Sequence, residues 1–75
     1  MNANVTYEAA FTPADEEVTV IRSARAGVSG LSDEFDATNL ETAERALFNA
    51  GYLLASPWSE PSSNGDRWCT LTRMT

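Results

Sequence analysis

The residues best able to do chemistry in this chain are two acidic groups, Asp15-Glu16-Glu17 and Asp33-Glu34-Asp36. A calcium loop would need carboxylates and carbonyls at a fixed alternating spacing around a central glycine, and neither group has that spacing. Hydrolysis by paired carboxylates would need two acids facing one cleft, which a domain this small seldom provides. The chain has no His and no Lys, no glycine-rich loop with phosphate-binding spacing after a strand, and no nucleophile with a base beside it. Cys69 is the single cysteine, so no intramolecular disulfide forms. With no His to activate it, the thiol reads as a small buried apolar group in a strand. The sequence thus predicts no catalytic residue, no metal ligand and no cofactor.

What remains is surface chemistry. Tyr52, Trp58 and Trp68 are the residue types that anchor protein interfaces. With Arg67 and Arg73 alongside they could also stack single-stranded bases. The competing reading places the rings in the core, because a small domain recruits aromatics to bury enough area. The acidic groups likewise have two readings. They are ordinary solvated loop and helix-cap charge, or a carboxylate surface that docks on a basic protein or imitates a phosphate backbone. The candidate partner-binding set is therefore Tyr52, Trp58 and Trp68 with Asp33, Glu34 and Asp36. Eleven acidic residues against five arginines leave a net charge of −6, the wrong sign for general binding to nucleic acid or anionic membrane. Direct nucleic-acid binding would require Arg22, Arg25, Arg67 and Arg73 to gather on one face.

The elements that must position these residues follow from periodicity. Val5, Tyr7, Ala9 and Phe11 alternate with polar or small residues and predict a half-buried strand over 5–12. Residues 17–24 are ambiguous. Pro13 and the acids after Thr12 could open a helix, whereas Val18-Thr19-Val20-Ile21 is β-branched at four consecutive positions and favours a strand. Residues 25–37, with Gly27, Gly30 and several Ser, read as a loop anchored to the core by Leu31 and Phe35. Thr38-Asn39-Leu40-Glu41 has capping-box form, and Leu40, Ala43, Leu47 and Ala50, widened by Ala46 and Phe48, form the apolar stripe of a helix over 38–50. Glu41 and Arg45 make an i,i+4 pair, and Gly51 closes the helix. Two aromatic strands follow, 52–59 and 67–74, joined through Ser62-Ser63-Asn64-Gly65 as a two-residue turn or a longer loop. Pro57 marks the first as an edge or bent strand. The expected fold is α+β, an antiparallel sheet of about four strands packed by one helix (ββαββ), with βααββ as the alternative.

At 75 residues the chain reads as one small domain. A core of this size supplies roughly 3–5 kcal/mol, so a homodimer is a natural supplement. No apolar run approaches the roughly 20 residues of a membrane helix, and residues 1–12 do not form a secretory signal. A cytoplasmic protein without membrane association is expected.

The run from Leu40 to Leu47, then Gly51-Tyr52, Trp58, Gly65 and Arg67-Trp68 through Arg73, is similar to short uncharacterised proteins of actinobacteria and their phages. Those proteins share a helix, a glycine–aromatic junction and a Trp-bearing hairpin. The resemblance spans roughly the last half of the chain, implies no activity and carries over no functional residue. For a phage accessory protein it implies binding to a host protein. The sequence-based expectation is a small acidic, non-enzymatic interaction protein with a protein partner. An acidic nucleic-acid mimic is the alternative.

Overall fold

The computed structural model describes residues 6–23 and 29–74. Val5, residue 24 at the end of the expected 17–24 element and the 25–28 part of the expected loop, with Arg25 and Gly27, lie outside the described residues. The chain forms β1 (Thr6–Thr12), β2 (Glu17–Ser23), β3 (Ser29–Asp36), α1 (Leu40–Asn49), β4 (Tyr52–Leu54) and β5 (Arg67–Arg73). The result is an α+β fold: one helix on a five-stranded antiparallel sheet of order β3-β2-β1-β5-β4.

β1 and β2 make a hairpin from Thr6↔Ser23 to Thr12↔Glu17. Pro13–Asp15 forms a single tight helical turn, closed by Glu16 at φ 53°. The β-branched run therefore wins over the helix-start signals, because it can pair on both sides in the middle of a sheet. The fifth strand is a correction to the expected count. Residues 29–36 were expected in a loop, yet β3 pairs with β2 from Glu17↔Asp36 to Ser23↔Ser29. Unpaired backbone along β2 would be costly, so a segment of loop-like composition is drawn into the ladder. Its register slips between Val20↔Asp33 and Ile21↔Leu31, leaving Ser32 as a bulge. The slip puts the two expected anchors on different sides. Phe35 packs against the core, while Leu31 is 63% exposed.

The helix starts one residue later than the capping box proposed from sequence. Asn39, not Thr38, is the N-cap: its Oδ1 accepts from Thr42 N at 2.8 Å, and Thr42 Oγ1 accepts from Asn39 N at 3.1 Å. The Asn carboxamide and the Thr hydroxyl satisfy both orphan donors. Glu41 is left to accept from Arg45 at 3.2 Å. Ala43 and Leu47 are fully buried on the sheet side, but Phe48 falls outside the stripe and is 56% exposed. Gly51 turns the chain at φ 98°, a conformation that favours glycine.

The expected 52–59 strand is regular only to Leu54, and Pro57 follows close behind. Beyond it, serine hydroxyls take the place of ladder carbonyls. Thr70 N donates to Ser56 Oγ and Trp68 N to Ser59 Oγ, both at 3.0 Å. Ala55 N and Ser59 N in turn donate to Thr70 O and Trp68 O. The return is a longer loop rather than a two-residue Asn-Gly turn, closed by Ser62 N to Asp66 O and Gly65 N to Ser62 O, both 2.9 Å.

β5 lies between β4 and β1, so α1 crosses one face of the sheet from the β3 edge to the β4 edge. Beneath it, Ala9, Phe11, Val18, Val20, Cys69 and Leu71 form the floor of the core, roofed by Ala43 and Leu47. Tyr52, only 1% exposed, donates its hydroxyl to Asp33 Oδ2 at 2.8 Å. These residues sit on opposite edge strands, which a flat five-stranded sheet would hold roughly 19 Å apart. A Tyr and an Asp side chain cannot span that distance together, so the sheet curls around the helix and this bond ties its edges. The Ser32 bulge in β3 adds local twist to this edge.

Candidate functional site: the uncovered face of the sheet

Among the described residues, the helix covers one face and leaves the other open. Strand alternation and register fix which side chains stand on the open face. One cross-strand row runs Glu34, Thr19, Ala10, Trp68 from β3 to β5. The row beside it starts with Asp36, Glu17 and Thr12. On the other side Ile21, Glu8 and Thr70 continue the surface. Carboxylates therefore crowd the β2–β3 half of the face, and Trp68, 41% exposed, stands on β5. Glu34 and Trp68 stand at the two ends of a four-strand row, with Thr19 and Ala10 as the floor between them.

The acidic half is electrostatically strained. Glu17 faces Asp36 directly across the ladder, and Glu34 is one pair along on the same side. Like charges opposite one another weaken a sheet. The Glu17 carboxyl titrates above its usual range. The largest cause is its hydrogen bond with Glu34, followed by desolvation and the negative charges of Glu34, Asp15 and Asp36. No described arginine lies on this face. Arg22 is in register with Tyr7, Arg67 with Phe11 and Arg73 with Tyr52, all toward the helix side. The Arg73 guanidinium lies over the rings of Tyr7 and Tyr52, at 5.8 and 5.3 Å from their centroids. Arg67 donates to Ser59 O at 3.2 Å.

Of the six residues singled out from sequence, Trp68, Glu34 and Asp36 come together on the open face. Tyr52 and Asp33 meet each other inside the curl of the sheet. Burial raises the Tyr52 phenol above its ordinary value, opposed by its contact with Ser32 and reinforced by Asp33. Trp58 is half-buried on the helix side: its Nε1 donates to Glu44 Oε2 at 2.8 Å, and its ring meets Phe11 edge-on at 6.4 Å. Sequence reasoning missed Glu17 and Glu8 as parts of this surface. Glu17 opens the 17–24 segment that sequence leaves between helix and strand, and only its register opposite Asp36 reveals its neighbours.

Cys69 is buried under the helix, and its thiol is pushed up to about 11, mainly by burial. Such a thiol is protonated near neutrality and a poor nucleophile. Among the described residues, no group of three His, Cys, Asp or Glu is placed to hold a metal ion, and no helix is long and apolar enough to cross a membrane. Compared with known proteins, the chain matches no family model, no curated protein and no solved structure.

Proposed function

We propose that this protein is a non-enzymatic interaction module whose open sheet face docks on a basic protein surface. One observation carries the reading: Glu17, Glu34 and Asp36 are held against one another, at a cost to the fold, on the same uncovered face as Trp68. A cationic partner relieves that repulsion on contact, and the indole supplies the apolar anchor that charge alone lacks. Thr19 and Ala10, the residues between acid and aromatic in this row, are small enough for a partner to lie across both.

The test is capture from a nuclease-treated actinobacterial lysate with the tagged protein, with Trp68→Ala, and with the triple variant Glu17→Gln, Glu34→Gln, Asp36→Asn. The reading predicts one basic partner near equal stoichiometry, released by salt and lost with either variant. Capture unchanged by both variants, or no partner at any salt concentration, refutes it.

A further inference from the structure

The two edges of the sheet are unlike. β3 carries Asp33, Glu34, Asp36 and the Ser32 bulge, features that keep an edge from pairing with another strand. β4 carries neither charge nor bulge, and only its length of three residues and Pro57 beyond it limit pairing there. Met74 N donates to Gly51 O at 2.7 Å and Ala55 N to Thr70 O at 2.8 Å. In an antiparallel ladder this alternation turns Leu53 toward β5 and leaves the N–H and C=O of Tyr52 and Leu54 facing outward. Along that edge runs a groove of about 230 Å³, lined by Glu44, Phe48, Tyr52, Leu53 and Leu54. Phe48 and Leu53 are 56% and 44% exposed, and both flank the edge.

We propose that this edge pairs with β4 of a second copy of the chain, antiparallel about a two-fold axis through Leu53. The segment is its own complement. With Leu53 opposite Leu53 of the partner subunit, Tyr52 of each copy exchanges both main-chain bonds with Leu54 of the partner subunit, giving four bonds. The two Leu53 side chains then stand directly opposite on the open face, and Phe48 closes the contact on the helix side. Charge selects a second copy at this edge and disfavours one elsewhere. Glu44 lines the groove and Arg73 stands opposite Tyr52 in β5, so groups of opposite sign flank this edge, whereas the β3 edge and the open face would set carboxylates against carboxylates. A standard interface covers about 800 Å² per copy, one-sixth of the 4813 Å² surface. A three-residue edge with a few apolar side chains is a smaller contact, so association is expected in the range of about 10–100 µM. Pairing would join the sheets into one and place two acidic, Trp-bearing faces on the same side, a bivalent array for one extended basic partner.

Sedimentation velocity over about 1–500 µM tests this, with circular dichroism to show that each variant is folded. The wild-type chain is expected to pass from monomer to dimer. Leu53→Asp and Leu53→Arg are each expected to raise the dissociation constant at least about tenfold, because like charges then stand directly opposite. An equimolar mixture of the two is expected to dimerise again, since the axis places Asp against Arg. Trp68→Ala leaves dimerisation unchanged, which separates this edge from the open face. A wild-type monomer throughout, single variants that dimerise like wild type, a mixture that stays monomeric, or dimerisation lost with Trp68→Ala each overturn the proposal.

Discussion

Replacing Tyr52 with Phe removes one oxygen and, with it, the bond that ties the two edges of the sheet. The ring is almost fully buried, and its hydroxyl donates to Asp33 Oδ2 at 2.8 Å, with Ser32 Oγ 3.5 Å away. A hydrogen bond to a charged group contributes about 1.5–3 kcal/mol. Asp33 is only half-buried and regains some water when the bond is lost, which places the expected cost of Tyr52→Phe at about 1.5–2 kcal/mol. Set against a total of about 4–11 kcal/mol for a chain of this length, that is a large fraction, and it lowers Tm by roughly 6–15 °C. Thermal unfolding followed by circular dichroism at neutral pH measures it. A double-mutant cycle isolates the pair: in an Asp33→Ala background the same substitution is expected to cost about 1 kcal/mol less. The alkaline limb adds an independent check. The folded phenol titrates above its unfolded value near 10, so its contribution is complete below pH 10 and is lost as pH rises through the folded value. Tyr52→Phe should therefore flatten the loss of stability above pH 10. If the substitution is neutral, or additive with Asp33→Ala, the tie contributes nothing and the reasoning fails.

Three further outcomes follow from the same structure. Glu17→Gln is expected to stabilise the fold at pH 7. The carboxyl titrates above its ordinary value because of Glu34 and its acidic neighbours, so its contribution is intact below the unfolded value of 4.5 and lost above the folded one. Urea unfolding should show the gain vanish below about pH 4.5 and shrink in salt. Cys69 should resist a disulfide reagent at pH 8 in the native state and react freely in urea. Its pKa rises from 9 to about 11 on folding, so stability falls between those values by roughly 2–3 kcal/mol, a slope that Cys69→Ala removes. Gly65→Ala should cost about 1–2 kcal/mol in chemical denaturation. The loss comes from backbone strain at φ 86°, since the added Cβ would meet Pro13 Cγ at an ordinary 3.4 Å.

Much of the fold was legible because local signals agreed with tertiary demands. The alternation of Tyr7, Ala9 and Phe11, the Leu40–Leu47 stripe and the change of period after Gly51 each mark an element that the structure contains. β3 was not legible for a physical reason. Its bulge at Ser32 breaks the period of two, so Leu31 and Phe35, which share a parity, end up on different faces. Its polar, glycine-containing composition gives no strand signal by itself, and the strand exists because β2 needs a partner. The cap shifted because Thr42 Oγ1 accepts from the amides of both Thr38 and Asn39 while Asn39 Oδ1 accepts from that of Thr42, and the polar residues around Leu40 do not announce which pair wins. The fate of the aromatics hung on long-range register. Trp68 faces outward because β5 joins β1 with Cys69 opposite Ala9, and Tyr52 turns inward because the sheet curls far enough for its hydroxyl to reach Asp33. The acidic face formed in the same way. Glu17 is far in sequence from Glu34 and Asp36, and the pairing of β2 with β3 brings it against them.

The most direct test of the open face uses the two tryptophans as internal probes. Their indole N–H signals are expected to separate in a nitrogen–proton correlation spectrum, and the structure gives the two residues different settings: the Trp58 indole N–H donates to Glu44, and Trp68 is exposed on the open face. During titration with an arginine-rich peptide, the Trp68 indole and the amides of Glu17, Glu34 and Asp36 are expected to shift together, while the Trp58 indole stays in place. The shifts should disappear in about 0.5 M salt, where the Debye length falls to a few ångströms. A peptide that moves neither the Trp68 indole nor those amides, or that perturbs the helix side instead, would contradict the assignment of this face as the docking surface.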